Sequence, residues 1–169
     1  MNTFTIKSFI AALGLLLTSV AGYSQISKVD IMATGLTCSM CSNAINKQLK
    51  SLSQISNVAT DLNTNTFTIS FNDNQTVSPK VLKDAVEKAG FFVGSMVLTL
   101  SPEATAAQQV TVGDDSLVFI DDKKAGSNQY KVVDKGFVTQ KEYKKLSKTY
   151  AKHGSYSVEN DQVFHIVAL

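Results

Sequence analysis

The chain contains no arginine, and all 16 of its basic residues are lysine. Without guanidinium groups it lacks the bidentate fork that grips guanine edges and phosphates, which weakens nucleic-acid readout and phosphoryl transfer together. With 14 acidic residues against those lysines the formal charge is only +2, too weak a field to gather nucleic acid or an anionic membrane. Nucleic acid is therefore not an expected partner. No apolar run is long enough for a membrane span. Phe9 to Ala21 is about a dozen residues, against the roughly 20 that a spanning helix needs. That run follows Lys7 and leads into Gly22-Tyr23-Ser24-Gln25, the layout of a secretory signal peptide with cleavage expected after Ser24. Residues 1–24 are thus expected to be removed, leaving an exported chain, periplasmic or secreted, with no membrane span. No cysteine lies near the cut to accept a lipid. Cysteine itself is scarce, at two, beside two histidines and four methionines. At 169 residues the chain suits one ordinary domain or two small ones.

The remaining pattern divides near Pro102, where residues 101–108 are small and polar and read as a linker. Before it, the alternation Val29-Ile31-Ala33 predicts a strand ending at Thr34-Gly35. Ile45, Leu49 and Leu52 then form a helical stripe with Lys47 and Lys50 facing out. Ile55 to Leu62 and Thr66 to Phe71 predict a hairpin around Asn63-Thr64-Asn65. Ser78-Pro79 caps a second helix with Val81, Leu82, Ala85, Val86 and Ala89 on its apolar face, and Gly90 stops it. A strand over 91–100 closes the unit. The order β-α-β-β-α-β over residues 27–100 is the split βαβ arrangement of ferredoxin-like domains, in the α+β class. Residues 109–169 predict a second, small α+β module. It has strands near Gln109–Val112, Leu117–Ile120, Tyr130–Val133 and Val163–Leu169. Its helix opens with the capping box Thr139-Gln140-Lys141-Glu142 and carries the stripe Tyr143, Leu146, Tyr150.

Both cysteines sit in Gly35-Leu36-Thr37-Cys38-Ser39-Met40-Cys41, between the first strand and the first helix. Two thiolates three residues apart converge on one ion when the first lies in a loop and the second in the first helical turn. The free N–H groups and dipole of that helix end favour the thiolate. Two soft sulfurs without a third donor in the motif suit Cu(I) better than Zn(II), which usually takes four ligands. Three other readings compete: a thiol-disulfide redox site, a structural disulfide, and two buried structural cysteines. No aromatic residue precedes Cys38 and no proline is placed to face the thiols, which argues against the redox site. A disulfide closing so short a loop would stabilise little.

The stretch resembles the heavy-metal-associated domain, whose motif is Gly-Met-Thr-Cys-x-x-Cys between strand and helix of a βαββαβ fold. Ile45 and Leu49, Asp61-Leu62 and Ala89-Gly90-Phe91 extend the resemblance over residues 27–99. Leu36 replaces the usual Met, which the family buries as packing, and Ser42 stands where Val is common. The resemblance implies a metal site at Cys38 and Cys41, with Phe91 as an apolar lid. Neutral Thr37 resembles the copper and mercury members. Cu(I) is the leading ion, with Hg(II), Ag(I) and Zn(II) as further soft or borderline candidates. The expected function is sequestration or transfer of that ion to or from a donor or acceptor protein such as a copper transporter. A mercuric-ion scavenger is the nearest alternative.

His153 at a helix end and His165 in the last strand fit no local ligand spacing and read as structural. Met32 and Met96 read as core, and Met40 as exposed on the metal loop. Lys141, Lys144, Lys145, Lys148 and Lys152 make a basic, solvated helix face. Asp114-Asp115 and Asp121-Asp122 read as turns. The sequence brings no Ser/His/Asp or paired-carboxylate arrangement into view, so no enzyme is expected.

Overall fold

The computed structural model of the chain describes residues 25–36, 39–107, 109–121, 126–156, 158 and 160–169. The expected signal peptide, Thr37, Cys38 and Asp122 lie outside the described residues. The first half runs β1 (Ile26–Thr34), α1 (Ser39–Lys50), β2 (Ile55–Asp61), β3 (Thr66–Phe71), α2 (Pro79–Lys88) and β4 (Phe92–Leu100). Its strands stand in the order β2-β3-β1-β4, all antiparallel, which is a ferredoxin-like βαββαβ unit. Local chemistry accounts for its turns and caps. Asn65, at φ 53°, supplies the left-handed residue of the β2–β3 hairpin, a conformation Asn tolerates better than most residues. The Ser78 hydroxyl accepts from the Lys80 N–H at 3.1 Å, and Pro79 opens α2. Ile45 and Leu49 of α1, and Leu82 and Val86 of α2, are fully buried against the sheet. Val81, expected on the apolar face of α2, is exposed instead, because Leu82, Ala85 and Val86 already make up its buried side.

The sheet does not stop at β4. Within residues 101–108, expected as a linker, Pro102–Ala106 form a one-turn helix, α3, capped by the Ser101 side chain and anchored by buried Ala104. Strands β5 (Gln109–Val112), β6 (Asp115–Phe119), β7 (Gln129–Val132) and β8 (Val163–Ala168), with helix α4 (Gln140–Thr149), make up the rest. Eight strands form one sheet in the order β2-β3-β1-β4-β7-β8-β6-β5. The joint is antiparallel β4–β7 pairing, with Val97, Leu98 and Thr99 opposite Lys131, Tyr130 and Gln129. It covers the edge that β4 would otherwise leave open to other chains.

Strand alternation divides the interior between two faces. Leu117, Tyr130, Val132, Phe164 and Ile166 join the same apolar cluster as Val29, Ile31, Leu98 and the inner sides of α1 and α2. Ile120, Val133 and Tyr156 form a second, smaller cluster, which Val118, Val167 and the α4 stripe Tyr143, Leu146 and Tyr150 pack against. Residues adjacent along a strand point to opposite faces. Helix α4 therefore lies on the far side of the sheet from α1 and α2. Thr139 caps α4 by accepting from the Glu142 N–H at 3.3 Å, while the Glu142 carboxylate pairs with Lys131 of β7.

Candidate metal centre

Strand β1 ends at Thr34, and Gly35 turns the chain at φ 87°, a conformation that a side chain would strain. Ser39 is the first residue of α1, so Cys41 stands in the first helical turn, half-buried. Its neighbours diverge: Met40 is 81% exposed, whereas Ser42 is buried on the inner side that continues through Ile45 and Leu49. The thiol thus lies on the flank of the helix between core and solvent. Helix α1 has no acidic residue in its first turn. The positive end of its backbone dipole therefore acts on a thiolate there without competition from a local carboxylate.

The second helix stops beside this loop. Ala89 ends α2, Gly90 turns at φ 89°, and Phe91 leads into β4. The Phe91 ring packs against the main apolar cluster, and its Cδ1 would stand 3.8 Å from a Cβ placed on Gly35. The aromatic side chain therefore borders the segment that leads to the cysteines. Phe92, beside it, is 67% exposed, so Met40 and Phe92 both present apolar surface. Cys38 and Thr37 lie outside the described residues. Among the described residues, no group of three or more His, Cys, Asp or Glu side chains is placed to hold a metal ion.

The other singled-out residues fall as follows. Met96 is fully buried and Met32 half-buried, both in strands. Lys141, Lys144, Lys145, Lys148 and Lys152 are all exposed. Asp114 lies in a turn, whereas Asp115 opens β6 and is buried.

The two histidines, expected to be structural and to fit no local ligand spacing, lie side by side. Their rings are 6.2 Å apart between centroids, and both touch one hydroxyl: Ser155 Oγ is 2.9 Å from His165 Nε2 and 3.2 Å from His153 Nδ1. His165, 1% exposed, meets Asp134 twice. Its backbone N–H donates to Oδ2 at 2.6 Å and its Nδ1 lies 2.7 Å from Oδ1. A Ser/His/Asp arrangement is thus present after all. The sequence hides it because the partners are 10 and 31 residues from His165, and only the pairing of β7 with β8 and the turns after α4 bring them together. Beside it, the Tyr156 hydroxyl donates to the Val133 carbonyl at 2.7 Å. Burial first, and then the negative charge of Asp134, push that phenol well above its ordinary range.

Residues 30–92 match the family described as the heavy-metal-associated domain. No curated protein matches the chain. Similar solved structures include a yeast copper transporter domain, Ccc2a, studied in apo and Cu(I)-loaded states. It is 31% identical over 38% of this chain and 88% of that one, with a TM-score of 0.35. A copper binding domain from a P-type ATPase is 29% identical over 39% and 88%, with a TM-score of 0.35. The CopZ metallochaperone is 22% identical over 40% and 98%, with a TM-score of 0.37.

Proposed function

The chain belongs to the heavy-metal-associated domain family through residues 30–92, and from that premise we propose that it binds Cu(I) through Cys38 and Cys41 and sequesters it or hands it to another protein. The observation that carries this reading is the placement of Cys41, half-buried in the first turn of α1, three residues after the only other cysteine and just past the Gly35 turn. A pair of thiolates at a helix N-terminus is a soft, low-coordinate donor set, which matches Cu(I) and fits Zn(II) poorly. Transfer would proceed by ligand exchange, an incoming sulfur replacing one thiolate before the other leaves. Exposed Met40 and Phe92 offer apolar contact to the protein that gives or takes the ion. The layout of residues 1–24 supports action outside the cytosol, where prior metal loading would protect the thiols from oxidation. No helix among the described residues is long and apolar enough to cross a membrane.

The test is a Cu(I) titration of the reduced chain lacking residues 1–24, in competition with a chromophoric chelator, beside the Cys38→Ser/Cys41→Ser variant. Tight one-to-one binding that the double substitution abolishes is the expected result. Equal, weak binding by both proteins would overturn the proposal.

A further inference from the structure

The metal centre leaves the Asp134, His165 and Ser155 cluster without a role. Asp134 is fixed at the end of β7 by a turn in which its own carbonyl accepts from the Phe137 N–H at 3.1 Å. Its two oxygens hold His165 at the backbone and at the ring. A carboxylate only accepts hydrogen bonds, so Nδ1 carries a proton, and in the neutral form of the ring, the form that acts as a base, Nε2 bears the lone pair. That lone pair faces Ser155 Oγ at 2.9 Å. Ser155 has one hydroxyl proton, which goes to Nε2, and His153 Nδ1 at 3.2 Å is then the donor to Oγ. A hydroxyl on a base, with the base oriented by a third group, is the signature of an activated nucleophile.

The base is buried and the nucleophile exposed. His165 is 1% exposed and held on three sides, whereas Ser155 lies exposed in the turn that follows α4. Ser155 and His165 stand outside the wall of the neighbouring cleft of about 510 Å³, which Tyr156 and Asp134 line together with Val158, Lys80, Lys83 and Lys135. The cleft lies between α2 of the first half and the second half of the chain.

We infer that Ser155 is a nucleophile activated by His165, able to take the acyl group of a small carboxylic ester and pass it to water. In the first step Oγ bonds to the ester carbonyl carbon, its proton moves to His165 Nε2, and the C–O bond to the alcohol breaks as that proton passes to the leaving oxygen. In the second step water attacks the acyl-serine and gives a proton to Nε2. The acid departs and Ser155 Oγ recovers the proton. No metal ion or external oxidant enters the balance. Ser155 and His165 are the catalytic residues, and Asp134 is a positioning residue that acts through His165.

The experiment uses the chain from residue 25 onward, with p-nitrophenyl acetate as substrate and a fluorophosphonate as a covalent serine probe. The expected result is phosphonylation mapped by mass spectrometry to Ser155, and ester turnover that falls at least about 100-fold in Ser155→Ala, the scale of a positioned general base and its nucleophile. Ser155 is exposed, so this variant should keep the fold, and its far-ultraviolet circular dichroism should match the parent. Asp134→Asn should lower kcat, and Asp134→Glu should restore part of it, because a carboxylate at this position orients the imidazole. Turnover equal in parent and Ser155→Ala, a label that appears only on lysines, or activity abolished by a metal chelator would each overturn the inference. The last outcome would instead make His153 and His165 metal ligands.

Discussion

Gly35 and Phe91 meet where the chain leaves β1 toward the two cysteines, with Phe91 Cδ1 3.8 Å from the position of a Cβ on Gly35. That separation is ordinary van der Waals contact, so added bulk alone would do little harm. The constraint at Gly35 is instead its φ of 87°. A side chain there strains the backbone by roughly 1–2 kcal/mol. Gly35→Ala should therefore lower stability by about 1 kcal/mol, while Gly35→Asn should lose less, since Asn tolerates this region. Urea unfolding midpoints of the two variants measure the difference. Equal losses would assign the cost to contact with Phe91.

Gly94 of β4 presents the opposite case. Its φ is not in the left-handed region, but a Cβ there would stand 2.5 Å from Thr34 Cγ2 and 2.8 Å from Met32 Cε. Met32 can swing its terminal methyl aside, whereas the short, branched Thr34 cannot. Gly94→Ala should cost about 1–3 kcal/mol through overpacking. Thr34→Ala removes the offending methyl, so the double variant should recover most of that loss. A double-mutant cycle with no coupling energy would show that the backbone moves instead.

The joint between the halves predicts cooperative unfolding. Leu98 and Leu100 of β4 are buried, Tyr130 lies opposite Leu98, and the Leu100 N–H donates to the Asn128 carbonyl at 2.8 Å. A chain ending at residue 100 loses this cover and leaves β4 as an open, apolar edge. It should melt at lower temperature and self-associate. The chain from residue 25 onward should unfold in one transition. Its tyrosines are Tyr130, Tyr143, Tyr150 and Tyr156, all in the second half. Their fluorescence reports that half alone, while far-ultraviolet circular dichroism reports the whole. Coincident curves are expected, and two separated transitions would show that the halves fold independently.

The same joint marks how far the sequence could be read. Ser78-Pro79, Thr139 with Glu142, and the stripe of Ile45 and Leu49 announce their helices because cap and period are written within a few residues. The Cys38 and Cys41 pair is legible for the same reason: both candidate ligands fall within four positions of each other. Pairing of β4 with β7 leaves no such mark. Both strands alternate like ordinary half-buried strands, and nothing local distinguishes an edge from a centre. Asp134, Ser155 and His165 escape notice because strand pairing and a run of turns, not spacing, join them. One local sign was available. His165 lies between Phe164 and Ile166 in an otherwise apolar strand, and a buried imidazole requires partners for both nitrogens.

Tyr156 gives the fold a weakness at alkaline pH. Its phenol is pushed well above the ordinary value of 10.0, by burial first and by Asp134 next. Tyr130 and Tyr150 are also raised, with burial the largest cause in each. A raised pKa means that the folded state holds the proton more tightly than the unfolded chain. This stability is fully present below about pH 10 and is lost as pH rises beyond it, when unfolded phenols ionise and the buried one does not. Tyr156→Phe keeps the ring beside Tyr150 and His165 but removes the hydroxyl that donates to the Val133 carbonyl at 2.7 Å. Leaving that buried acceptor unmet should cost about 1–3 kcal/mol at neutral pH. Above pH 10 the gap between parent and variant should narrow, because the variant has one fewer phenol to ionise on unfolding. Urea midpoints across this pH range, with an ultraviolet titration of the phenols, test both signs. A gap that stays constant or widens would mean that Tyr156 ionises within the fold and that its surroundings do not hold the proton.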